Sequence, residues 1–153
     1  MHFSEYDTRL AGYAVIVNDD DEILLSWFNG GRDRAHAIWT LPGGGIEFFE
    51  TIEEGTIREI KEETGYDAQL LRPLTTHSFT DSRRNPAFGE STDRPFKGVR
   101  VVYEARITGG TLGTLEVDGT TDRAEWLAID SLADTHHARI IDVGLDALRG
   151  SRR

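Results

Sequence analysis

The feature that most constrains the fold of this chain is one segment, residues 43–66, which opens with three glycines and carries signals for the start and the end of a helix. Thr51 is followed three residues later by Glu54. This is the pattern of a capping box, in which each side chain bonds the backbone N–H of the other residue. Gly65 stands where a left-handed residue would close the last turn, a conformation that glycine adopts without steric cost. The pattern predicts a helix over Ile52–Thr64.

Three carboxylates are spaced along that predicted helix so that they share one face. Glu59, Glu62 and Glu63 stand at positions i, i+3 and i+4, which are neighbours on a helix surface. Like charges at this spacing cost about 0.2 to 0.5 kcal/mol per exposed pair. Arg58 can pair with Glu62 four residues later but leaves negative charge in excess. A hard divalent cation, Mg²⁺ or Mn²⁺, would neutralise that excess, because such ions prefer carboxylate, carbonyl and water oxygens.

The run Gly43, Gly44 and Gly45 lies just before this helix. Three glycines allow a tight turn and leave the backbone carbonyls and amides uncovered by side chains. We therefore expect a carbonyl of this turn to complete the metal coordination, or its amides to face a phosphate.

These glycines and the helix together resemble the Nudix box, G-x5-E-x7-R-E-U-x-E-E-x-G-U, where U is apolar or aromatic. The match fills every specified position, with Gly44, Glu50, Arg58, Glu59, Ile60, Glu62, Glu63, Gly65 and Tyr66. Two unspecified positions depart from the commonest form of the box: Phe49, where the family often has glycine, and Gly55, where it often has alanine. Gly55 costs a helix up to about 1 kcal/mol relative to alanine.

Similarity to the Nudix family implies an α/β fold, a sandwich of α/β/α type with a mixed sheet between helices. It also implies a divalent-metal-dependent hydrolase that cleaves a phosphoanhydride bond in a nucleoside diphosphate linked to a group X. Such substrates include nucleotide sugars, dinucleoside polyphosphates and (d)NTPs. The metal, Mg²⁺ or Mn²⁺, would screen the diphosphate and acidify a bound water.

The resemblance also implies roles for individual residues. Metal ligands are expected to be Glu59 and Glu63, with Glu62 directly or through water, beside the carbonyl of Gly43 or Gly44. Arg58 is expected to orient the glutamates, and Glu50 to support the box or a second metal.

The proton acceptor is not identified by the box alone, since Nudix relatives use either a box glutamate or an acid on a loop before the last strand. The candidates here are Glu116, Asp118, Asp122 and Glu125. Asp118 and Asp122 flank a short Gly-Thr-Thr segment that could swing over a bound diphosphate. We expect the base to be Asp122, slightly ahead of Glu116, with Glu62 as the choice if the loop acids play no part.

One long predicted loop, residues 81–98, is basic although the whole chain is acidic. Its positive residues are Arg83, Arg84, Arg94 and Lys97. Loops of this length are usually functional or disordered. Two interpretations stay open: these residues bind the polyphosphate of the substrate, or the loop is merely a mobile insertion.

The remaining pattern indicates strands first, then the helix, more strands and a last helix. Predicted strands cover residues 10–17, 23–28, 37–41, 67–79, 99–107 and 124–129, with a second helix over 138–148. The first two strands are predicted to form a hairpin across the acidic turn at 18–22. This order is typical of a layered α/β domain.

Composition sets the outer limits. A chain of 153 residues with 38% hydrophobic content suits a single domain, residues 1–153. The net charge of −10 argues against binding to nucleic acid or an anionic membrane. There is no cysteine, which excludes disulfides and thiol catalysis. Neither a signal peptide nor an apolar run of 18 residues is present, so we expect a cytoplasmic protein with a small-molecule nucleotide substrate, and a homodimer is left open.

Two other hypotheses remain. The chain could be a nucleotide sensor built on a Nudix domain that no longer turns over, although the intact glutamate trio argues against this. It could also isomerise an isoprenoid diphosphate, a reaction that the family fold also hosts. The absence of cysteine disfavours this hypothesis, because the isomerase of that fold resembles a thiol-using enzyme.

Overall fold

The computed structural model describes residues 1–31, 33–81 and 94–153. Within these residues the chain forms seven strands and two α-helices, with short 3-10 helices at Phe3–Glu5, Arg34–His36 and Ile129–Asp134. The strands and helices run in the order β1 (Asp7–Val15), β2 (Glu22–Phe28), β3 (Ile38–Thr40), β4 (Gly43–Gly45), α1 (Ile52–Thr64), β5 (Tyr66–Asp81), β6 (Phe96–Gly110), β7 (Thr121–Ala128) and α2 (Arg139–Ser151). Neither α-helix is long and apolar enough to cross a membrane.

Helix α1 has the predicted bounds and the predicted caps. The Thr51 hydroxyl accepts a hydrogen bond from the Glu54 N–H (3.1 Å), and the Glu54 carboxylate accepts one from the Thr51 N–H (2.8 Å). Gly65 ends the helix in the left-handed region, with φ of 79°. Local sequence alone therefore sets where this helix begins and ends.

The strands form two sheets. One has four strands in the order β4-β1-β6-β5 and is mixed, because β1 runs parallel to β6 and the other pairs are antiparallel. The other has three antiparallel strands in the order β3-β2-β7. Helix α1 packs on one face of the four-stranded sheet and α2 on the other. The predicted α/β/α sandwich with a mixed sheet between helices is confirmed.

Each helix contributes to a separate part of the core. Ile60 of α1 packs with Ala14, Ile16 and Leu24. The apolar stripe of α2 packs against the opposite face of the sheet, and its buried members are Ile140, Ile141, Leu145 and Leu148. Burial of each large aliphatic side chain contributes about 1.5 to 3 kcal/mol.

The predicted hairpin between the first two strands is wrong beyond its turn. An isolated bridge between Val17 and Ile23 joins the two segments, but β1 pairs with β4 and β6 while β2 pairs with β3 and β7. Both strands contain a continuous buried stretch, residues 11–15 in β1 and 23–26 in β2. A strand that is buried on both faces lies inside a sheet, with a neighbouring strand on each side. The first two strands therefore take inner positions in two different sheets.

The triple glycine also differs from the prediction, because it forms strand β4 rather than a turn. Gly43 has φ of 145°, and a Cβ there would lie 2.1 Å from the carbonyl oxygen of Gly12 in β1. Only glycine fits this approach of the two backbones.

The strands on both sides of the predicted long loop extend into it. Strand β5 continues to Asp81 and β6 begins at Phe96, so Lys97 lies in a strand. The predicted substrate residues Arg83 and Arg84 lie outside the described residues.

Candidate functional site

A cavity of about 600 Å³ lies where the two sheets meet. Strand β4 contributes all three of its glycines to the lining. The acidic residues of the lining are Asp33, Glu59, Glu63, Asp81 and Glu116. The cavity thus brings the β4 glycines next to two glutamates of the helical trio, Glu59 and Glu63.

Glu63 is the buried acid of this cavity, with 7% of its surface exposed. Its carboxylate accepts hydrogen bonds from the hydroxyl of Ser26 (2.8 Å), the N–H of Gly43 (3.1 Å) and the hydroxyl of Thr121 (3.0 Å). Burial raises the pKa of Glu63 to about 8, although the three hydrogen bonds oppose this, and the nearby Glu59 charge raises it further. This carboxylate is held in place by neutral donors, and no cation balances it among the described contacts.

Glu59 lies against the backbone of β4. A Cβ built on Gly44 would lie 2.7 to 2.9 Å from the atoms of the Glu59 carboxylate, so glycine is needed for the carboxylate to come this close. Burial raises the pKa of Glu59, the hydrogen bond from Arg58 opposes the rise, and the charges of Glu62 and Glu116 add to it. Four acids of the region therefore influence one another electrostatically, including Glu63 through Glu59.

Arg58 is the centre of an ion-pair network on the other side of these glutamates. It donates two hydrogen bonds to Glu50 (2.6 and 3.0 Å), one to Glu59 (3.0 Å), one to Glu62 (3.3 Å) and one to the carbonyl of Gly45 (3.1 Å). The predicted Arg58–Glu62 pair is present, and Arg58 also ties the helix to β4. The hydrogen bonds from Arg58 and from the Glu47 N–H lower the pKa of Glu50 to about 2.

Gly55, one of the two departures from the commonest box, has a steric reason. A Cβ at Gly55 would lie 2.5 Å from a carboxylate oxygen of Glu50 and 2.7 Å from the terminal methyl of Ile46. The glycine makes room for the Glu50 carboxylate that Arg58 holds. The other departure, Phe49, lies on the surface with 96% exposure, in edge contact with the equally exposed Phe48.

The loop acids are placed differently from one another. Glu116 lines the cavity, and its carboxylate accepts a hydrogen bond from the N–H of Thr121 (3.0 Å). Its own N–H donates to the carbonyl of Glu62 (3.0 Å), which attaches this loop to the last turn of α1. Asp122 lies in β7 rather than in the loop, where it accepts from the Asn29 amide (2.8 Å) and faces Arg34 (3.7 Å).

The acids have suitable oxygen ligands for a divalent cation, but their carboxylates do not converge on a single position. Among the described residues, no three acid or histidine side chains are close enough to form a ready-made metal site. Glu62 is turned toward Arg58, with 45% of its side chain exposed. The oxygen donors available at the cavity, carboxylates and glycine carbonyls, are nevertheless those that Mg²⁺ and Mn²⁺ prefer. The charges of these acids raise the pKa of Glu59 and of Glu63, so a cation placed between them would be favourable.

The two described basic residues of the predicted substrate loop lie elsewhere. Arg94 forms an ion pair with Asp7 (3.1 Å) and donates to the carbonyls of Ser4 and Tyr6, and the Lys97 ammonium lies 6.0 Å from the centre of the Tyr6 ring. Both contact the N-terminal segment, and neither belongs to the described lining of the cavity.

Other residues of the cavity were missed by the sequence reasoning. Ser26 and Thr121 hold Glu63 from strands β2 and β7, and Arg9 and Arg100 line the wall formed by β1 and β6. Two signals were present: Ser26 interrupts an apolar strand, and Arg100 stands between two valines. Thr121 carried no such signal.

Comparison with known proteins agrees with the geometry. A family model described as the NUDIX domain matches residues 7–144. The human 8-oxo-dGDP phosphatase NUDT18 is 35% identical over 120 residues, which are 78% of this chain and 32% of that protein. The chain spans about a quarter to a third of the length of several curated relatives that it matches.

Solved structures show the same fold. The MutT NUDIX hydrolase of Burkholderia pseudomallei superposes with a TM-score of 0.67 at 28% identity, over 92% of this chain and 98% of that one. A NUDIX hydrolase of Nitrosomonas europaea reaches a TM-score of 0.74 at 19% identity, over 96% and 92% of the two chains, and supports the fold alone. The domain match, the complete box and the shared fold together show that this chain belongs to the Nudix family.

Proposed function

We propose that the protein is a divalent-metal-dependent hydrolase that cleaves a phosphoanhydride bond in a nucleoside diphosphate linked to a group X. The observation that carries the proposal is the buried Glu63 carboxylate, which has no cationic partner among its described contacts and lies with Glu59 in a cavity lined by the β4 glycines. Because burial raises the pKa of Glu63, ionising this group near neutral pH costs free energy unless a cation lies beside it. A bound cation would offset that cost.

The metal would be held by Glu59 and Glu63, with Glu62 directly or through water, and by the carbonyl of Gly43 or Gly44. When bound, Mg²⁺ or Mn²⁺ would screen the diphosphate and lower the pKa of a coordinated water. Arg58 would keep Glu59 and Glu62 near the cavity through its hydrogen bonds to both.

For the proton acceptor we now favour Glu116 over Asp122. Glu116 lines the cavity, whereas the Asp122 carboxylate is bound by Asn29 and faces Arg34 outside the described lining. The Glu116 carboxylate would take the proton of the attacking water, and the Thr121 N–H would keep it oriented.

A substrate panel tests the proposal. Nucleotide sugars, ADP-ribose, dinucleoside polyphosphates, (d)NTPs and 8-oxo-dGDP would be incubated with Mg²⁺, with Mn²⁺ and with EDTA, and the products identified. We expect metal-dependent cleavage of a P–O–P bond in at least one compound. Tight binding of a nucleotide without any turnover would contradict the proposal and favour the nucleotide sensor.

A further inference from the structure

The wall of the cavity that lies away from the glutamates is basic. Gly45, Ala11, Arg100 and His77 are successive register partners across β4, β1, β6 and β5. Neighbouring strands lie about 4.8 Å apart, so Arg100 starts about 10 Å from the glycine strand. The row therefore links the candidate metal end of the cavity to an arginine on its far side.

Arg100 lies on aromatic rings and makes no ion pair among the described residues. Its guanidinium carbon is 4.4 Å from the centre of the Phe79 ring and 5.6 Å from that of Tyr13, and all three residues line the cavity. The Arg100 Nε is buried without a hydrogen-bond partner, and so is the Nδ1 of its cross-strand neighbour His77. Among the residues that the structure describes, these are the two buried side-chain nitrogens that lack a hydrogen-bond partner.

The charges around Arg100 also favour an anion. Burial lowers the pKa of Arg100, Tyr13 opposes this, and Arg9 lowers it further. Burial, Arg100 and Arg139 lower the pKa of His77. A guanidinium remains charged at neutral pH even when its pKa falls, so Arg100 keeps its positive charge on this wall. Asp81 is an acid of the same wall.

Buried polar atoms in folded proteins nearly always have a partner, so an unpartnered guanidinium nitrogen in a residue that lines a cavity suggests a missing ligand. A phosphate or a carboxylate would accept hydrogen bonds from the Arg100 guanidinium and would reduce the repulsion between Arg100 and Arg9. Planar, forked donors of this kind bind these two groups in preference to neutral ones.

We propose that Arg100 binds a second anionic group, a phosphate or a carboxylate, carried by the X part of the substrate. This proposal rests on the proposed function, because the diphosphate would be held at the glutamate end of the same cavity. It narrows the substrates to those in which X is itself negatively charged.

Two matched pairs of compounds test this. UDP-glucuronate and UDP-glucose differ by a carboxylate on X, and ADP-ribose 1″-phosphate and ADP-ribose differ by a phosphate. Their kcat and KM would be measured for the wild type, Arg100→Gln, Arg100→Lys and the control Arg106→Gln. Arg106 is an exposed arginine of the same strand that bonds Gln69.

We expect the wild type to prefer the anionic member of at least one pair about tenfold or more in kcat/KM, since a charge-assisted hydrogen bond is lost with the neutral member. Arg100→Gln should remove this preference mainly through KM of the anionic member, Arg100→Lys should keep part of it, and Arg106→Gln should keep all of it. The pair that shows the preference identifies the anion as carboxylate or phosphate. Equal losses on both members, or no preference in the wild type, would overturn the proposal.

Binding separates this outcome from failure of the proposed function. Calorimetric affinities of the same four compounds for Glu63→Gln and for Glu63→Gln combined with Arg100→Gln need no turnover. Stronger binding of an anionic member, lost with Arg100, supports the anion subsite even if nothing is hydrolysed. Equal affinities within both pairs would refute it even if all four compounds are cleaved.

Discussion

Two arginines line up with the four-stranded sheet in different ways. Arg58 of α1 bonds Gly45 at one edge of the sheet, whereas Arg100 belongs to β6. Arg58 donates to three carboxylates and to the carbonyl of Gly45. Arg100, two strands away from Gly45, lies on the rings of Phe79 and Tyr13 and has a buried Nε without a partner. A saturated arginine holds other side chains in place, whereas an unsaturated one in a cavity wall is available to a ligand. The comparison assigns structural support to the first and substrate recognition to the second.

The largest expected effect is on turnover at the glutamate end. Glu63→Gln should lower kcat by at least about 100-fold for every substrate, equivalent to about 2.7 kcal/mol of transition-state stabilisation, because the buried charge is lost. Steady-state kinetics with saturating Mg²⁺ would measure it. Asp146→Asn, which removes an exposed carboxylate from α2, is the control and should leave kcat unchanged. Wild-type turnover in Glu63→Gln would show that this acid does not hold the metal.

The next expected effect is a difference in the free energy of unfolding between variants of the two arginines. Arg58→Gln should lower the free energy of unfolding by about 1.5 to 3 kcal/mol, because Glu50 and its neighbours lose charged donors. Arg100→Gln should change it by less than about 1 kcal/mol, because it removes an unpaired buried nitrogen along with its ring contacts. Urea unfolding of both variants would measure the difference. Equal losses would erase the distinction between the two arginines.

The smallest expected effect, taken per pH unit, is a dependence of stability on pH in the absence of metal. The pKa of Glu63 is raised by burial from 4.5 to about 8 on folding. Below pH 4.5 the carboxyl is protonated in both states, and above pH 8 it is ionised in both. Between these values the unfolded chain binds fewer protons, so this group makes stability fall as pH rises, by at most about 1.4 kcal/mol per pH unit.

Thermal unfolding in EDTA from pH 5 to 8 would measure this contribution as the difference between wild type and Glu63→Gln. At pH 8, addition of millimolar Mg²⁺ or Mn²⁺ should raise the stability of the wild type above its value in EDTA, because the ion binds the ionised, folded form. Identical pH profiles for wild type and Glu63→Gln would place the Glu63 carboxylate in a more solvated setting than the structure shows.

Much of the box could be predicted from sequence because its interactions are local. The Thr51 and Glu54 cap, the Gly65 stop and the Arg58–Glu62 pair all join residues at most four positions apart. Periodicity then sufficed for the layered fold. Such short-range patterns carry their own geometry.

The rest of the site depends on contacts between distant parts of the chain. Ser26 and Thr121 lie 37 and 58 residues from the Glu63 that they hold. Arg100 reaches the cavity only through the register of β6 against β1, which no local pattern encodes. The hairpin prediction failed for the same reason, since strand partners are chosen by burial on both faces rather than by proximity in sequence.

The attachment of the Glu116 loop to α1 limits how this protein can vary in length. The N–H of Gly113 donates to the carbonyl of Thr64, those of Leu115 and Glu116 donate to the carbonyl of Glu62, and the Thr114 hydroxyl donates to the carbonyl of Glu63. Residues 113–116 therefore act as a spacer of fixed length, and an insertion there would displace Glu116 from the cavity. Of residues 117–120, which precede β7 at Thr121, only Val117 and Asp118 are exposed, so insertions and grafted segments are best accommodated between these two.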